Sequence, residues 1–285
     1  MDKRKLEEAV FKGLMLGSTF IVVGSLLAVI AIVILRGVPA LSLSMLTQTP
    51  KGGYYLGKEG GILNAIVGSL YLAGGATALA FVISLPIALY LEEYAGKSRL
   101  ASFTRLSLDV LWGVPSIVYG AFGFTIMLYL GIRASLLGGI ITVALFVLPL
   151  MVRAMDEVLR MVPLELREAS YALGSTKLET VFKIMVKQAL PGILTAVLLA
   201  FGRGIGDAAS VLFTAGYSDY IPNSFFDPAA TLPLAILFQL GTPFPEVQMR
   251  AYASAVILMI LVLSLSIASR FLTKRLTKYV VGVRT

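Results

Sequence analysis

Runs of about twenty uncharged, mostly apolar residues recur along the chain and constrain its fold more than any other feature. A helix of about 20 such residues crosses the roughly 30 Å hydrocarbon core of a bilayer. The first run covers residues 11–35, with no charge between Lys12 and Arg36. Of the 285 residues, 58% are hydrophobic and 14% are charged, which excludes a water-soluble domain and a disordered chain. The sequence therefore predicts an all-α membrane protein.

Six segments have the length and composition of a membrane-spanning helix. They are residues 11–35, 62–91, 106–130, 135–152, 192–215 and 251–267. The apolar stretch Leu232–Leu240 is too short to span a bilayer, so we expect a re-entrant or interfacial helix on the outer side. We predict a single domain over residues 1–285, with its core spans within about 60–272.

The positions of Lys and Arg predict the orientation of these spans. Segments 1–12, 97–105, 153–187 and 270–284 together hold 18 of the 24 Lys and Arg residues. Cytoplasmic loops carry the excess of positive charge, so both termini are predicted to be cytoplasmic. The net charge of +8 then reflects this bias and an attraction to anionic membrane lipids, and it predicts no nucleic-acid partner.

The residue types that are missing exclude several kinds of chemistry. The chain has no cysteine and no histidine, which excludes disulfides, thiol nucleophiles, zinc sites of the Cys/His type and histidine acid–base catalysis. The Gly-Lys-Ser run at 96–98 has Leu91 where a phosphate-binding loop needs its first glycine. We therefore expect no cofactor, no metal site and no ATP hydrolysis by this chain.

The charged segment 153–190, between the fourth and fifth predicted spans, has its own pattern. It holds six cations and five anions, so it lies in water or against a polar surface. Pro163 can begin a helix that Gly174 ends in the left-handed conformation. Residues 176–179 can form a capping box that begins a second helix, which Pro191 ends or bends. This pattern indicates either a surface helical hairpin or a docking element for a soluble partner.

This segment resembles the EAA loop of ABC importer permeases, whose consensus is E-A-A-x3-G-x9-I-x-L-P. The matching residues are Glu168, Ala169, Gly174 and Ile184, while Ser170 replaces the second alanine and Val186-Lys187 replaces Leu-Pro. Residues 109–120, 202–209, 212–216, and 231–234 together with 245–251, resemble PstA-type permeases of the phosphate importer. The similarity extends over nearly the whole chain from about residue 60.

The resemblance implies a type I ABC importer permease fold in the inner membrane. It implies a heterodimer with a PstC-type permease, two copies of a cytoplasmic ATPase and an external phosphate-binding protein. Phosphate import would be driven by ATP, with Glu168, Ala169, Ser170 and Gly174 seated in a cleft of the ATPase. The family usually has Gly-Glu-Thr where this chain has Gly-Asp-Ala at 206–208.

Arg203 and Asp207 are four residues apart in the fifth predicted span and would share one helix face. A charge at mid-bilayer costs about 2.5–3.5 kcal/mol on insertion scales and usually faces the bundle interior or a water-filled cavity. The two residues can form an internal ion pair. Alternatively, Arg203 donates two parallel hydrogen bonds to phosphate while Asp207 holds the guanidinium. Gly202, Gly204 and Gly206 permit close helix approach or local unwinding.

Two further residues are candidates for the substrate pathway. Pro115 predicts a kink in the third span whose freed carbonyls need other donors, and Ser116 is expected to line the pathway there. Thr214, near the end of the fifth predicted span, is the other candidate. Asp109 is expected to be a helix-end acid or the partner of a loop cation.

Other functions fit the sequence less well. A permease for sulfate, molybdate or phosphonate, or the PstC-like half of the phosphate importer, stays open. A secondary anion transporter would show inverted repeats and several ionisable groups within its spans. A membrane enzyme would need histidine, cysteine or clustered carboxylates there.

Overall fold

The structure, a computed structural model, describes residues 3–51, 59–96 and 98–277, and helices dominate this part of the chain. The helices are α1 (Lys3–Gly37), α2 (Leu43–Thr47), α3 (Leu63–Leu89), α4 (Arg99–Gly113), α5 (Ser116–Tyr129), α6 (Leu136–Arg160), α7 (Leu164–Ala172), α8 (Lys177–Thr180), α9 (Val186–Ile205), α10 (Leu232–Leu240) and α11 (Pro245–Thr277). Two short strands, β1 (Pro50–Lys51) and β2 (Glu59–Gly60), pair antiparallel. Three of the 18 counted cations, Lys97, Lys278 and Arg284, lie outside the described residues.

Five helices of the described residues are long and apolar enough to cross a membrane, namely α1, α3, α6, α9 and α11. The pair formed by α4 and α5 meets the same test only when the two are counted together, and they are bent by 97°. The predicted third span at 106–130 is therefore not one straight helix. Pro115 causes the break, because it lacks an N–H and holds Val114 in an extended conformation.

Helix α4 is amphipathic. Phe103, Leu106 and Val110 are exposed, while Arg105 and Asp109 form ion pairs with α6. Such a helix suits the membrane interface, where its apolar face meets lipid and its charges stay near water.

The fifth predicted span ends earlier than expected. Helix α9 stops at Ile205 and Gly206 follows it, so the predicted helix over 192–215 is wrong beyond that point. Asp207 contributes to this end, because its carboxylate accepts a hydrogen bond from the Ser210 amide at 2.8 Å, a local alternative to helical bonding. Gly202, Gly204 and Gly206 also lower the helix propensity of this run.

The second helix of the charged segment is not a separate element. Helix α8 is only four residues long and continues through the π turn Val181–Met185 into α9, so Pro191 lies within a helix rather than at its end. Burial of Ala189, Ile193 and Ala196 against the neighbouring helices offsets the hydrogen bond that the proline removes.

Helix α6 is the centre of the core and is buried along most of its length, with α3 and α9 packed against it. Val143, Val147 and Met151 of α6 are completely inaccessible. Glycines let the backbones approach: a Cβ on Gly204 would lie 3.1 Å from Val143 Cγ1, and a Cβ on Gly139 would lie 2.7 Å from Leu72 Cδ1. Close approach at small residues is how membrane helices gain packing energy.

A second core cluster joins α2, α3, α10 and α11, and it buries Met45, Ala65 and Leu232. Helix α10 has the predicted bounds. Helix α1 lies at the periphery, since its most apolar window has none of its residues buried within the chain.

Candidate functional site

Helix α7 carries the motif residues of the charged segment and has two different faces. Glu168, Ala169 and Ala172 are exposed on one side, and Leu173 directly after the helix is 87% exposed. Gly174 follows with a φ of +82°, which confirms the predicted left-handed end of the helix. The outward face of α7 is therefore free to meet a partner.

The inward face of α7 consists of Arg167, Ser170 and Tyr171, which are three and four residues apart and so lie on one side of the helix. The Ser170 hydroxyl lies 2.9 Å from the hydroxyl of Thr180, and both side chains are buried. Ser170 was predicted to contact a partner together with its neighbours. Within the subunit it holds α7 against α8, and its contact with a partner stays a prediction.

The predicted capping box at the start of α8 is confirmed. Thr176 Oγ1 accepts from the Glu179 amide at 3.3 Å, and Glu179 accepts from the Thr176 amide at 3.0 Å. The Glu179 carboxylate also accepts from Lys183 Nζ at 2.9 Å. The bond from Lys183 and the bonds from Thr176 lower the pKa of Glu179 from 4.5 to about 2.

The cytoplasmic ends of α4 and α6, as oriented by the sequence, meet at a buried carboxylate. Asp156 has no accessible surface. It accepts two hydrogen bonds from Arg105, at 2.9 and 3.1 Å. Arg153 and Arg160 donate to the same carboxylate at 3.1 and 2.9 Å. Three guanidinium groups thus offset the desolvation of one buried charge.

A second group of ion pairs connects α7 to the ends of α3 and α6. Arg167 is buried and donates to Glu92 Oε1 at 3.2 Å and to the Leu159 carbonyl at 3.0 Å. It also lies 3.5 Å from Glu93 Oε2, and Glu93 accepts a hydrogen bond from the Tyr171 hydroxyl. Burial and the bond to Glu93 raise the pKa of Tyr171, so this hydroxyl stays a donor at neutral pH.

Sequence reasoning did not find these ion pairs. Glu92 and Glu93 directly follow the predicted second span, and Asp156 and Arg167 are among the charges of segment 153–190, but nothing in the sequence pairs them. The available signal was an excess of arginine and carboxylate at the ends of three spans, which meet at one end of a bundle. Asp109 was predicted as a partner for a cation, which is confirmed by the 2.7 Å bond from Arg153.

Arg203 lies in the last turn of α9, close to the middle of α6. Its guanidinium carbon is 4.5 Å from the centre of the Phe146 ring, and the Tyr119 ring packs edge-on against Phe146 at 5.8 Å. Arg203 forms no ion pair with any other described residue, so a cation–π contact takes the place of a counter-ion. Arg203 is half-buried.

The predicted pairing of Arg203 with Asp207 is not present. Asp207 lies beyond the end of α9, so the spacing of four residues no longer puts it on the same helix face, and its carboxylate binds the Ser210 amide. The residues after α9 pack beside α5, where a Cβ on Gly120 would lie 2.9 Å from the Ala209 carbonyl.

The other two pathway candidates differ in their surroundings. Ser116 is the first residue of α5, directly after the break, and is half-buried. The Leu111 carbonyl at the break accepts a hydrogen bond from the Tyr119 hydroxyl at 2.9 Å, which confirms the expectation of an added donor. Thr214 is completely buried and its hydroxyl donates to the Ser210 carbonyl at 3.0 Å. Thr214 therefore packs within the subunit, and its place on the substrate pathway stays a prediction.

Residues 84–278 match the family described as the binding-protein-dependent transport system inner membrane component. The chain belongs to this family. The family description and the five apolar helices place it in the inner membrane. Within the part of the chain that the structure describes, no group of three or more acidic residues is arranged to hold a metal ion.

Individual relatives of this inner membrane component carry more specific names. The phosphate transport system permease protein PstA of Haemophilus influenzae is 35% identical over 268 residues, which cover 94% of each chain. PstA 1 of Mycobacterium tuberculosis is 40% identical over 221 residues, covering 76% of this chain and 72% of that protein. These relatives confirm the resemblance to PstA-type permeases.

Solved structures show the fold of the family member. A chain of the inward-facing MetNI methionine ABC transporter has a TM-score of 0.62 at 20% identity, covering 75% of this chain and 95% of that one. A chain of a bacterial ABC transporter involved in alginate import has a TM-score of 0.60 at 13% identity, covering 96% and 99%. The predicted ABC importer permease fold is thereby confirmed.

Proposed function

We propose that this chain is the membrane-spanning permease subunit that moves inorganic phosphate into the cell, without catalysing any reaction itself. The observation that carries the proposal is the 35% identity to a PstA protein over 94% of both chains. A similarity that covers both chains almost end to end includes the spans, the charged segment and the outer segment together. ATP would be hydrolysed by partner subunits.

We propose six spans in one domain over residues 1–285, with α4 and α5 counted as a single broken span and both termini in the cytoplasm. The cluster of Arg105, Arg153, Arg160 and Arg167 at one end of the bundle supports this orientation, because positive charge is concentrated on the cytoplasmic side. The segment 153–190 then faces the cytoplasm.

The partners in this proposal are a PstC-type permease, two cytoplasmic ATPase subunits and an external phosphate-binding protein. The outward face of α7 supports the ATPase contact, because Glu168 and Ala169 are exposed beside the protruding Leu173. Gly174 would let the chain turn at the edge of the contact, while Ser170 would hold α7 in place from behind. The membrane supplies lipids around α1.

Arg203 is the proposed phosphate contact. A guanidinium at mid-membrane depth without an anionic partner among the described residues is available to a dianion, and it can donate two parallel hydrogen bonds. Ser116 at the α4–α5 break is proposed to line the same path. Asp207 and Thr214 would act indirectly, by holding residues 207–216 beside α5.

The proposal is tested by ATP-dependent uptake of radiolabelled phosphate into cells that express the complete set of subunits, with and without this chain. We expect uptake that requires this chain and that excess sulfate or molybdate does not reduce. Competition by either anion would assign the permease to another oxyanion. Uptake by this chain alone, without an ATPase, would contradict the proposed architecture.

A further inference from the structure

Helix α7 makes its contacts within the subunit through a short set of side chains on its inward face. Arg167 is the central one, and it reaches two elements at once: the acidic pair at the end of α3 and the last turn of α6. Tyr171, one turn further on, binds Glu93 from the same side. The ion pairs of Arg167, its bond to the Leu159 carbonyl and the Tyr171 bond all lie on the inward side of α7.

Burial of Arg167 beneath α7 has a cost in free energy. Burying a guanidinium removes its hydration, and the Arg167 Nε has no hydrogen-bond partner among the described residues. An apolar residue would pack α7 on α3 without that cost, as replacements of buried ion pairs have shown in other proteins. Unlike an apolar contact, a hydrogen-bonded ion pair fixes the orientation of α7 relative to α3, because its bonds form in only one geometry.

The contacts beyond Arg167 lead into the bundle. Glu92 binds Arg167 and also lies within 4.0 Å of Arg105 and 3.5 Å of Arg160. Both of those arginines bind the buried Asp156 on α6. One continuous chain of charged groups therefore connects α7 to α3, α4 and α6.

We propose that Arg167 is a positioning residue that makes α7 move as one body with the cytoplasmic ends of α3 and α6. This inference rests on the proposed function, in which a partner ATPase pushes on the outward face of α7. The push would pass through Arg167 and Glu92 into the two helices that form most of the core. Without Arg167, α7 would rock on the core, and ATP hydrolysis would no longer be matched by movement of the spans.

A distance measurement tests the one-body motion directly. The chain has no cysteine, so labels on this subunit attach only at introduced sites, for which the exposed Leu164, at the start of α7 and away from the docking residues 168–174, and the exposed Tyr90 serve. In the assembled complex, L164C/Y90C should give the same interlabel distance in the nucleotide-free and ATP-trapped states. Adding Arg167→Gln should broaden that distance or make it depend on nucleotide. An ATP-dependent distance in the otherwise unchanged protein, or no effect of Arg167→Gln, would overturn the proposal.

A functional measurement accompanies it in proteoliposomes that contain all subunits and the external binding protein. Arg167→Gln should keep ATP hydrolysis but lower phosphate uptake per ATP by about tenfold, within the usual range for coupling between two sites. Arg167→Lys should recover part of the ratio, because it keeps the charge but not the fork. Lys183→Gln, which breaks an exposed ion pair on the same segment, should leave the ratio unchanged. A fall as large in Lys183→Gln would also overturn the proposal.

Failure of the proposed function is seen separately, as absent phosphate uptake in the unchanged complex, and the distance measurement still decides the role of Arg167. If Arg167→Gln does not assemble, Tyr171→Phe replaces it, since it removes only the hydroxyl that binds Glu93. We expect Tyr171→Phe to alter the distance in the same direction by a smaller amount. No change in distance with Tyr171→Phe would then count against the proposal.

Discussion

Arg203 combines an unfavourable position with a weak partner, and this combination distinguishes it from Arg105, Arg160 and Arg167, which bind carboxylates. These three arginines, at one end of the bundle, bind carboxylates at about 3 Å. Arg203 has only the face of Phe146, at 4.5 Å. A cation–π contact contributes roughly 0.5–2 kcal/mol, less than the cost of a charge at mid-bilayer. An arriving anion would therefore gain from a site that the subunit leaves open.

Arg203→Gln should lower ATP-driven phosphate uptake about 100-fold, because a positioned donor to an anion in a water-poor site is worth that much. Arg203→Lys should lose about tenfold, since a lysine keeps the charge but cannot donate two parallel bonds. Uptake of radiolabelled phosphate and recovery of the intact complex are measured together. Lys187→Gln, an exposed cation at the other end of α9, serves as the control. Loss of the complex in Arg203→Gln would indicate a structural role instead.

At the scale of the elements, a glycine lets α3 and the segment before α10 approach each other closely. Gly68 of α3 lies against the backbone carbonyl of Ala230, and a Cβ there would overlap that oxygen. This contact seats the segment before α10 on α3, next to the bond from the Leu232 amide to the Ser69 hydroxyl at 2.8 Å. The segment that leads into α10 is thereby fixed to α3 through backbone as well as side-chain contacts.

Gly68→Ala should destabilise the protein by about 1–3 kcal/mol, because a methyl group has no room beside a backbone oxygen. Gly74 on the same helix provides a matched control, since a Cβ there would meet nothing within 4 Å. Gly74→Ala should be neutral or stabilising by up to about 1 kcal/mol. The thermal unfolding midpoints of the purified variants in detergent compare the two. Equal midpoints would show that the contact with Ala230 is not tight.

The capping box makes the stability of α8 depend on pH. Because the folded-state pKa of Glu179 is about 2, against an ordinary value of 4.5, the cap contributes fully above pH 4.5 and is lost as the pH falls toward 2. Hydrogen exchange in 176–183, corrected for its intrinsic rate, should be constant near neutral pH and should accelerate below 4.5. Glu179→Gln should remove that acceleration. A transition near neutral pH would contradict the assignment.

In the whole molecule, the two faces of α7 have different tasks: the outward face is available to a partner, and the inward face contacts the rest of the subunit. The outward face carries Glu168 and Ala169, whereas the inward face is bound to the core through Arg167 and Ser170. A change on the outward face should therefore leave the subunit folded.

Glu168→Arg should leave the chain inserted in the membrane at normal levels but prevent stable binding of the ATPase, and phosphate uptake should fall to background. Co-purification of the ATPase with the permeases measures the binding. Glu246→Arg reverses an exposed charge at the other end of the bundle and should have no effect on co-purification. Normal uptake by Glu168→Arg would disprove the docking role of α7.

Much of this molecule follows from local features of the sequence. The apolar runs predicted α1, α3, α6 and α11, because the bilayer thickness sets the length of a span. Gly174 and the capping box at 176–179 predicted the turn between α7 and α8, since caps depend on a few neighbouring residues. The motif at 168–184 and the stretches around it predicted the family.

The remaining features depend on particular side-chain contacts, some local and some between residues far apart in the chain, and only the structure decided them. The end of α9 at Ile205 reflects a hydrogen bond from the Ser210 amide to Asp207 that competes with helical bonding, although the predicted span, interrupted by Arg203 and Asp207, extends to 215. The spacing along α9 predicted Asp207 as the partner of Arg203, but Arg203 contacts the Phe146 ring on α6 instead. The bonds of Arg167 to α3 and α6 join residues 75 and 8 positions away. Charge along a sequence shows which groups need partners, but only packing brings a particular partner within hydrogen-bond distance.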